Sequence, residues 1–219
     1  MKKLFFILIV SIAVFAVAIG LLSWLSWQPQ PWYSPPDYDQ PEVKKLADRA
    51  EYRLNEEFHK VRPTSDVWRI RITDEAMNAW LSGRLEGWLT HDRELEMPPE
   101  LHDPQVHVTR EGIWLAAMIE LESESPRPVA LQLWTWIDEG TLNVEPIALR
   151  LGKIPIPISL FKNAITGLHE KTNGVDAIAP LMDDREVAIR AITFEDGALV
   201  LTCQTLLPKS GIPQEHGAE

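Results

Sequence analysis

The chain has 219 residues, of which 45% are hydrophobic and 24% are charged, so its composition is that of a folded globular protein. Its formal net charge is -11 at pH 7, which argues against nucleic acid as a partner because phosphate binding needs a basic surface. Cys203 is the only cysteine, so an internal disulfide, a CxxC motif and acylation of an N-terminal cysteine are all excluded.

Residues 1–27 predict a membrane anchor. An uncharged run over 4–27 would span about 36 Å as a helix, against a hydrocarbon core of about 30 Å. The alternative is a cleaved signal peptide, since Ala16 and Ala18 give the small-x-small form that a peptidase could use. We favour a retained anchor, because cleavage there would leave a long apolar terminus on the mature chain.

Basic residues predict the orientation of this anchor. Lys2 and Lys3 precede the apolar run and the next basic residue is Lys44, so the N-terminus is expected in the cytoplasm and the rest outside it. The segment 28–41 carries five prolines and predicts a stiff, extended tether. Aromatic residues that fit an interfacial belt are Trp24, Trp27, Trp32 and Tyr33.

The extracytoplasmic domain is predicted over 42–208, with a flexible tail over 209–219. Apolar residues at helical spacing predict a helix over 42–60, followed by a strand over 67–72. Thr73 is a good N-cap for the next helix. The apolar face of that helix is expected to contain Met77, Trp80, Leu81, Leu85, Trp88 and Leu89.

From residue 105 onward the apolar pattern changes to the period of two that is typical of strands. An acidic residue followed by Gly112, Gly140 or Gly197 predicts three tight hairpin turns with glycine at positive φ. The chain is therefore predicted to be α+β: a curved antiparallel β-meander packed by two or three helices and preceded by a single N-terminal transmembrane helix. The predicted strands are 105–109, 113–122, 128–137, 141–151, 187–195 and 198–206.

Both faces of the predicted meander carry apolar residues. The odd positions of 113–121 and 129–137 are apolar almost throughout. The opposite face carries Trp114, Met118, Trp134 and Trp136, where an exposed face of an antiparallel sheet would be polar. Part of this second face is therefore expected to be covered by a helix, another protein or a lipid, and helices are favoured.

The stretch "LGKIPIPISLFKNAI" at 151–165 predicts a hinge between a strand and a helix. Ile156 precedes a proline, which favours extended geometry, and Pro157 suits the first turn of a helix. This helix is expected to close one end or side of the sheet. Ile156 and Phe161 are expected at the lip of a ligand groove, and Ile165 in the core.

Two sequence elements and the order of the predicted elements resemble a known family. A strand runs into "ITDEAMNAWLSGRL" at 72–85, with the pattern T-x-E-x-x-N-A-x-L, and the meander ends in L-G-x-x-P-x-P at 151–157. These features resemble the YpmS-like bacterial membrane-anchored proteins and, more distantly, the tubular lipid-binding (TULIP-like) domains. Over 66–206 the resemblance implies a long helix along a curved antiparallel sheet, with an apolar groove between them, and it brings no catalytic residue.

No pattern typical of a metal site stands out. His102, Asp103 and His107 are close in sequence, but a metal site needs a further converging ligand, and ordinary surface histidines are favoured. Asp183 and Asp184 are adjacent, and a solvated turn is favoured over a carboxylate pair.

The candidate nucleophiles also lack catalytic context. Ser82 and Ser159 have no G-x-S-x-G motif, and Cys203 is expected as a buried thiol in a strand. The chain is therefore predicted not to be an enzyme, and no cofactor or metal is expected.

Two hypotheses of function follow. The first is a non-enzymatic envelope domain that binds a lipid or other apolar ligand in a groove between helix and curved sheet. The alternative is a protein–protein interaction module of a cell-envelope complex, docking through a Trp-rich face. The expected ligand-binding residues are Trp80, Trp114, Trp134, Trp136, Ile156 and Phe161.

Overall fold

The computed structural model of the chain describes residues 2–92, 97–120, 125–161, 174–181 and 185–206. Its helices are α1 (Lys2–Ser26), α2 (Pro41–His59) and α3 (Asp74–Asp92), and a 3-10 helix covers Ile158–Phe161. The strands are β1 (Val67–Thr73), β2 (Leu101–Thr109), β3 (Gly112–Ile119), β4 (Arg127–Asp138), β5 (Thr141–Leu151), β6 (Ile154–Ile156), β7 (Val175–Asp176), β8 (Ile178–Pro180), β9 (Glu186–Glu195) and β10 (Ala198–Leu206). The sheets are antiparallel, which confirms the predicted α+β class.

The strands form two sheets, where the sequence suggested one meander followed by a hairpin. Strands β2 to β6 pair in chain order with β7 beside β5, whereas the second sheet has the order β1-β10-β9-β8. The final hairpin therefore completes a sheet with β1, which precedes the meander in the chain. The predicted turns are confirmed, since Gly112, Gly140 and Gly197 have φ angles of 128°, 82° and 74°.

Helix α1 is the membrane-span candidate. Its segment Phe6–Ser26 is long and apolar enough to cross a membrane, and its apolar side chains are exposed along its length. By length and composition alone, such a helix agrees with a single-pass anchor or with a signal sequence. The predicted helix after Pro157 begins as the 3-10 helix, and its continuation through Ile165 lies outside the described residues.

Helix α3 docks on the edge of the meander through side-chain hydrogen bonds. Thr73 Oγ1 accepts a hydrogen bond from Ala76 N at 3.3 Å, which makes it the N-cap that the sequence predicts. One turn further on, Asn78 Nδ2 donates to Val106 O at 2.9 Å and Asn78 Oδ1 accepts from Val106 N at 2.7 Å. The amide of Asn78 thus pairs with edge strand β2 as a neighbouring strand would.

The next outward-facing residue of β2 is paired as well. Asp74 Oδ1 accepts from Val108 N at 3.1 Å, and Gly197 N donates to Val108 O at 2.9 Å. Asp74 N in turn donates to Gly197 O at 3.0 Å. We call Asp74, Asn78 and Gly197 the edge clamp, because together they satisfy this edge and join β2 to α3 and to the β9–β10 turn.

The edge clamp explains why the most buried side of α3 differs from the predicted apolar stripe. Asn78 and Ala79 are buried, whereas Trp80 is half-buried and Trp88 is partly exposed. A side-chain amide reaches a strand backbone only if the helix approaches closely, and the small Ala79 permits that approach.

We expect Asn78→Ala to destabilise the protein by about 2–4 kcal/mol, because Val106 N–H and C=O would stay buried without partners at about 1–3 kcal/mol each. For a chain of this size that lowers the melting temperature by roughly 5–15 °C. Thermal melts of the detergent-solubilised chain and hydrogen exchange of the peptide containing Val106 measure both effects. Asn55→Ala, at an exposed position of α2, is the control and should change stability by less than about 0.5 kcal/mol. Equal melting temperatures for the two variants would contradict the clamp.

Candidate functional site

The two faces of the meander sheet have different surroundings. Cross-strand partners point to the same side of a sheet, and side chains alternate along each strand, so the pairing assigns each residue to a face. The face that we call the covered face contains Trp114, Ala116, Ala130, Gln132, Ala148 and Arg150. The face that we call the apolar face contains Ile113, Leu115, Ala117, Val129, Leu131, Leu133, Leu149, Leu151, Ile154 and Ile156.

The Pro-rich segment lies on the covered face. Trp32 stacks on His107 with ring centroids 5.0 Å apart, and its ring lies 6.5 Å from that of Trp114. Trp32 and Tyr33 both pack against a buried cluster that includes Trp114 and Ala130. The second face of the meander is therefore covered as expected, but by residues of the Pro-rich segment, where helices were favoured.

Hydrogen bonds hold this segment in place. The buried Gln105 accepts from Ser34 N at 2.7 Å through Oε1 and donates to Trp32 O at 3.2 Å through Nε2. Tyr33 Oη donates to Asp103 O at 2.8 Å. Burial, together with the Asp103 carboxylate, raises the pKa of Tyr33 to about 12.

The sequence did not predict these contacts: residues 28–41 were expected to be a stiff, extended tether, and Trp32 and Tyr33 to belong to an interfacial belt. Proline has no N–H, so a Pro-rich segment brings few backbone donors that would need partners when it packs on a sheet. The aromatic side chains of Trp32 and Tyr33 supply the apolar contact. Trp24, in the last turn of α1, and Trp27, just after that helix, are exposed and still fit an interfacial position.

The β5–β6 turn packs against the end of α1. Lys153 N donates to Leu25 O at 3.0 Å, and Gln30 Nε2 donates to Gly152 O. Gly152 has a φ of 56°, and a Cβ atom there would overlap the carbonyl oxygens of Leu25 and Ser26. We call these five residues the α1 junction, and only glycine combines this backbone conformation with so close an approach.

The apolar face is incompletely buried. Among its ten residues only the small Ala117 is buried, Leu115 is 40% exposed, and the rest are half-buried. Val106 and Val108 of β2 pair with Leu115 and Ile113 on the same side and are buried, so the incomplete burial begins at β3. Branched aliphatic side chains in a sheet interior are usually fully buried.

These ten side chains are all aliphatic, and Arg127 and Thr135 lie on the same side of β4 at the two ends of the series. Through Ile154 and Ile156 the face extends to β6, which contacts α1.

The six expected ligand-binding residues do not come together in one site. Trp114 is buried beneath Trp32, and Trp134 packs on Phe194 at 5.1 Å between ring centroids. Trp136 shares its side of β4 with Trp134, and Trp80 packs on Trp88 in α3 at 6.0 Å. Of the six, Ile156 lies on the apolar face, and Phe161 lies just beyond it in the 3-10 helix.

The sequence contained a signal for the residues that were missed. Leu115 and Leu131 belong to the alternating apolar series over 113–121 and 129–137, which predicts one apolar face of the meander. Alternation alone identifies the apolar side of a strand, but the extent to which that side is covered depends on residues that are distant in sequence.

The two histidines that are close in sequence each lie next to a different carboxylate. His107 Nδ1 lies 2.9 Å from the Asp74 carboxylate, and His102 Nε2 lies 3.5 Å from that of Glu120. Within the described ranges, no three His, Cys, Asp or Glu side chains are placed to hold a metal ion. Asp183 and Asp184 lie outside those ranges.

The surroundings of the candidate nucleophiles are those of ordinary residues in a strand and in helices. Cys203 is fully buried in β10, and this burial raises the pKa of its thiol to about 11, so it stays protonated at neutral pH. Ser82 Oγ donates to Ala79 O at 3.0 Å, within its own helix, and Ser159 is exposed in the 3-10 helix.

Comparison with known proteins adds no assignment. No protein-family model matches the chain, and no curated protein matches it significantly in sequence. The resemblance to YpmS-like and tubular lipid-binding proteins thus stays a prediction.

We expect Gly152→Ala to loosen the α1 junction, because both the positive φ and the approach to Leu25 and Ser26 exclude a side chain. The control is Gly140→Ala, which has the same backbone strain of about 1–2 kcal/mol but open space around the new methyl group. Thermal melts and chymotrypsin cleavage at Trp32 and Tyr33 measure the outcome. Gly152→Ala should melt lower and be cleaved faster than Gly140→Ala, and indistinguishable variants would contradict the junction.

Proposed function

We propose that this chain is a membrane-anchored, extracytoplasmic protein that binds a lipid or another apolar ligand, non-enzymatically, on the apolar face of its meander sheet. The observation that carries the proposal is the incomplete burial of that face. Its ten aliphatic side chains are contiguous over four strands and open at Leu115, and the face extends to the strand that contacts α1.

The physical argument is that further burial of this face would still gain hydrophobic free energy. A Leu or Ile side chain contributes about 1.5–3 kcal/mol when it is fully buried, and these side chains are only partly buried. An acyl chain laid on them would remove apolar surface from water on both partners, at about 0.8 kcal/mol per buried methylene. A polar ligand would find no hydrogen-bonding side chain among the ten residues of the face.

The anchor belongs to the same proposal. Because Lys153 N bonds to Leu25 O, the residues next to the apolar face are attached to the helix that is long enough to span a bilayer. An N-terminus in the cytoplasm, as the lysine distribution predicts, places the domain against the outer surface of that membrane. An apolar ligand taken from the bilayer then has a short path to the domain.

Docking of an envelope protein through a Trp-rich face has less support. Trp114 is buried beneath the chain's own Trp32, and Trp134 packs on the chain's own Phe194. Trp114 is therefore inaccessible to a partner, and Trp134, although 38% exposed, already uses one side of its ring in internal packing.

We expect Leu115→Gln to reduce the lipid that co-purifies with the detergent-extracted chain by about tenfold, which corresponds to about 1.4 kcal/mol of binding free energy. Native mass spectrometry and lipid extraction measure the bound lipid. Because Leu115 is 40% exposed, the melting temperature should change little.

The matched control is Leu54→Gln, since Leu54 is 36% exposed on α2, away from the apolar face. Lipid that only surrounds α1 is the same in both variants, so the difference between them isolates lipid on the apolar face. Equal lipid content in the two variants, or none in the unmodified chain, would contradict the proposal.

We expect protease added to intact spheroplasts to remove the domain, because a retained α1 with a cytoplasmic N-terminus leaves residues after Ser26 outside the membrane. Immunoblots against the domain measure its loss, with a cytoplasmic protein as the control for integrity. Protection of the domain, or a mature form beginning near Ile19, would contradict a retained anchor with this topology.

A further inference from the structure

The residues that follow β6 expose large apolar side chains, one short strand beyond the turn that contacts α1. Leu160 is 73% exposed and Phe161 is 44% exposed, both in the 3-10 helix after Pro157. Monomeric soluble proteins seldom place adjacent Leu and Phe side chains in water without a binding role. Here they follow β6, which itself contacts α1.

Residues typical of a membrane interface lie at the β5–β6 turn and at the end of α1. The side chain of Lys153 is exposed at the turn, and the guanidinium of Arg127 lies 4.7 Å from the ring centre of Trp27. Trp24 is exposed on the last turn of α1. Cations next to tryptophans are common at the headgroup level of a bilayer, and here they occur in a chain whose net charge is -11.

The distances allow contact with the bilayer. Lys153 N is bonded to Leu25 O, which fixes the turn at the level where α1 ends. The headgroup layer on each side of a bilayer is about 5–7 Å thick, and strand β6 extends about 10 Å. Strand β6 runs back along β5 from this turn, so the 3-10 helix that follows meets the boundary between headgroups and acyl chains when the β5–β6 hairpin lies along the membrane surface.

We propose that Lys153–Phe161 is a second membrane contact, which we call the foot. Leu160 and Phe161 enter the acyl boundary of the leaflet in which α1 ends, and Lys153 holds the turn at the headgroups. The proposal rests on the retained anchor of the proposed function. It deepens that function, because Ile154 and Ile156 of the foot also belong to the apolar face, so a lipid can pass from the leaflet to the sheet along continuous apolar surface.

The test places a fluorescent label in the full chain reconstituted into vesicles of phosphatidylcholine and phosphatidylglycerol. Leu160→Cys and Val61→Cys are each labelled with an environment-sensitive fluorophore, and Val61 is the control because it is 87% exposed in a loop beyond α2. The native Cys203 is buried, and its thiol pKa of about 11 leaves it unlabelled under native conditions. Circular dichroism verifies that both variants fold.

We expect the label at position 160 to emit at shorter wavelength than the label at 61, and to be quenched by lipids brominated near the top of their acyl chains. Iodide in the aqueous phase should quench only the label at 61. If iodide quenches both labels equally, the foot lies in water and the proposal is wrong. If neither iodide nor brominated lipid quenches the label at 160, protein covers it, and the proposal is also wrong.

The outcomes separate this proposal from the proposed function. Quenching by brominated lipid without any effect of Leu115→Gln on bound lipid would support the foot and reject binding on the apolar face. Loss of lipid in Leu115→Gln with a water-exposed label at 160 would support binding and reject the foot.

Discussion

The two hydrogen bonds between the Asn78 amide and the backbone of Val106 are the constraint on which the arrangement of this domain depends. Strand β1 belongs to one sheet and β2 to the other, and α3 is the connection between them. Asp74 and Asn78 are one helical turn apart on α3, and they bond to Val108 and Val106, which are two residues apart on β2. One face of α3 therefore matches the outer edge of β2. Gly197 adds the turn of the other sheet to the same edge.

The same edge clamp connects to the N-terminal segment through His107. Its ring lies between the Asp74 carboxylate and the indole of Trp32, so a residue of the clamp also orders the aromatic cover of the sheet. Gln105, two residues earlier on the same strand, binds Ser34 and Trp32. Strand β2 therefore fixes α3 with its outer edge and the Pro-rich segment with its side chains, and a change in β2 would disturb both.

The sequence predicted most of the helices, strands and turns, but it did not predict how they contact one another. Alternation and the acidic residue–glycine pairs predicted the strands and turns around Gly112, Gly140 and Gly197, because these signals are local. The pairing of β10 with β1 was not predictable in this way, since it joins residues such as Ile70 and Leu201 that are far apart in the chain. The docking of Trp32 on Trp114 was missed for a further reason: a proline-rich composition describes local stiffness and says nothing about the surface on which the segment packs.

The candidate site was also not predictable from the sequence, because its exposure depends on contacts between distant residues. Tryptophan was expected to line the ligand groove, but a large aromatic side chain is equally suited to pack on a sheet face. Trp32 and Phe194 pack on the side of the meander that carries Trp114 and Trp134, and the incompletely buried leucines lie on the other side.

Both faces of the meander sheet connect to the α1 junction. The covered face is attached to the junction through Arg150 and Gln30, and the apolar face reaches it through Ile154. The two faces of one sheet therefore meet at the end of α1, one covered by the Pro-rich segment and the other incompletely buried.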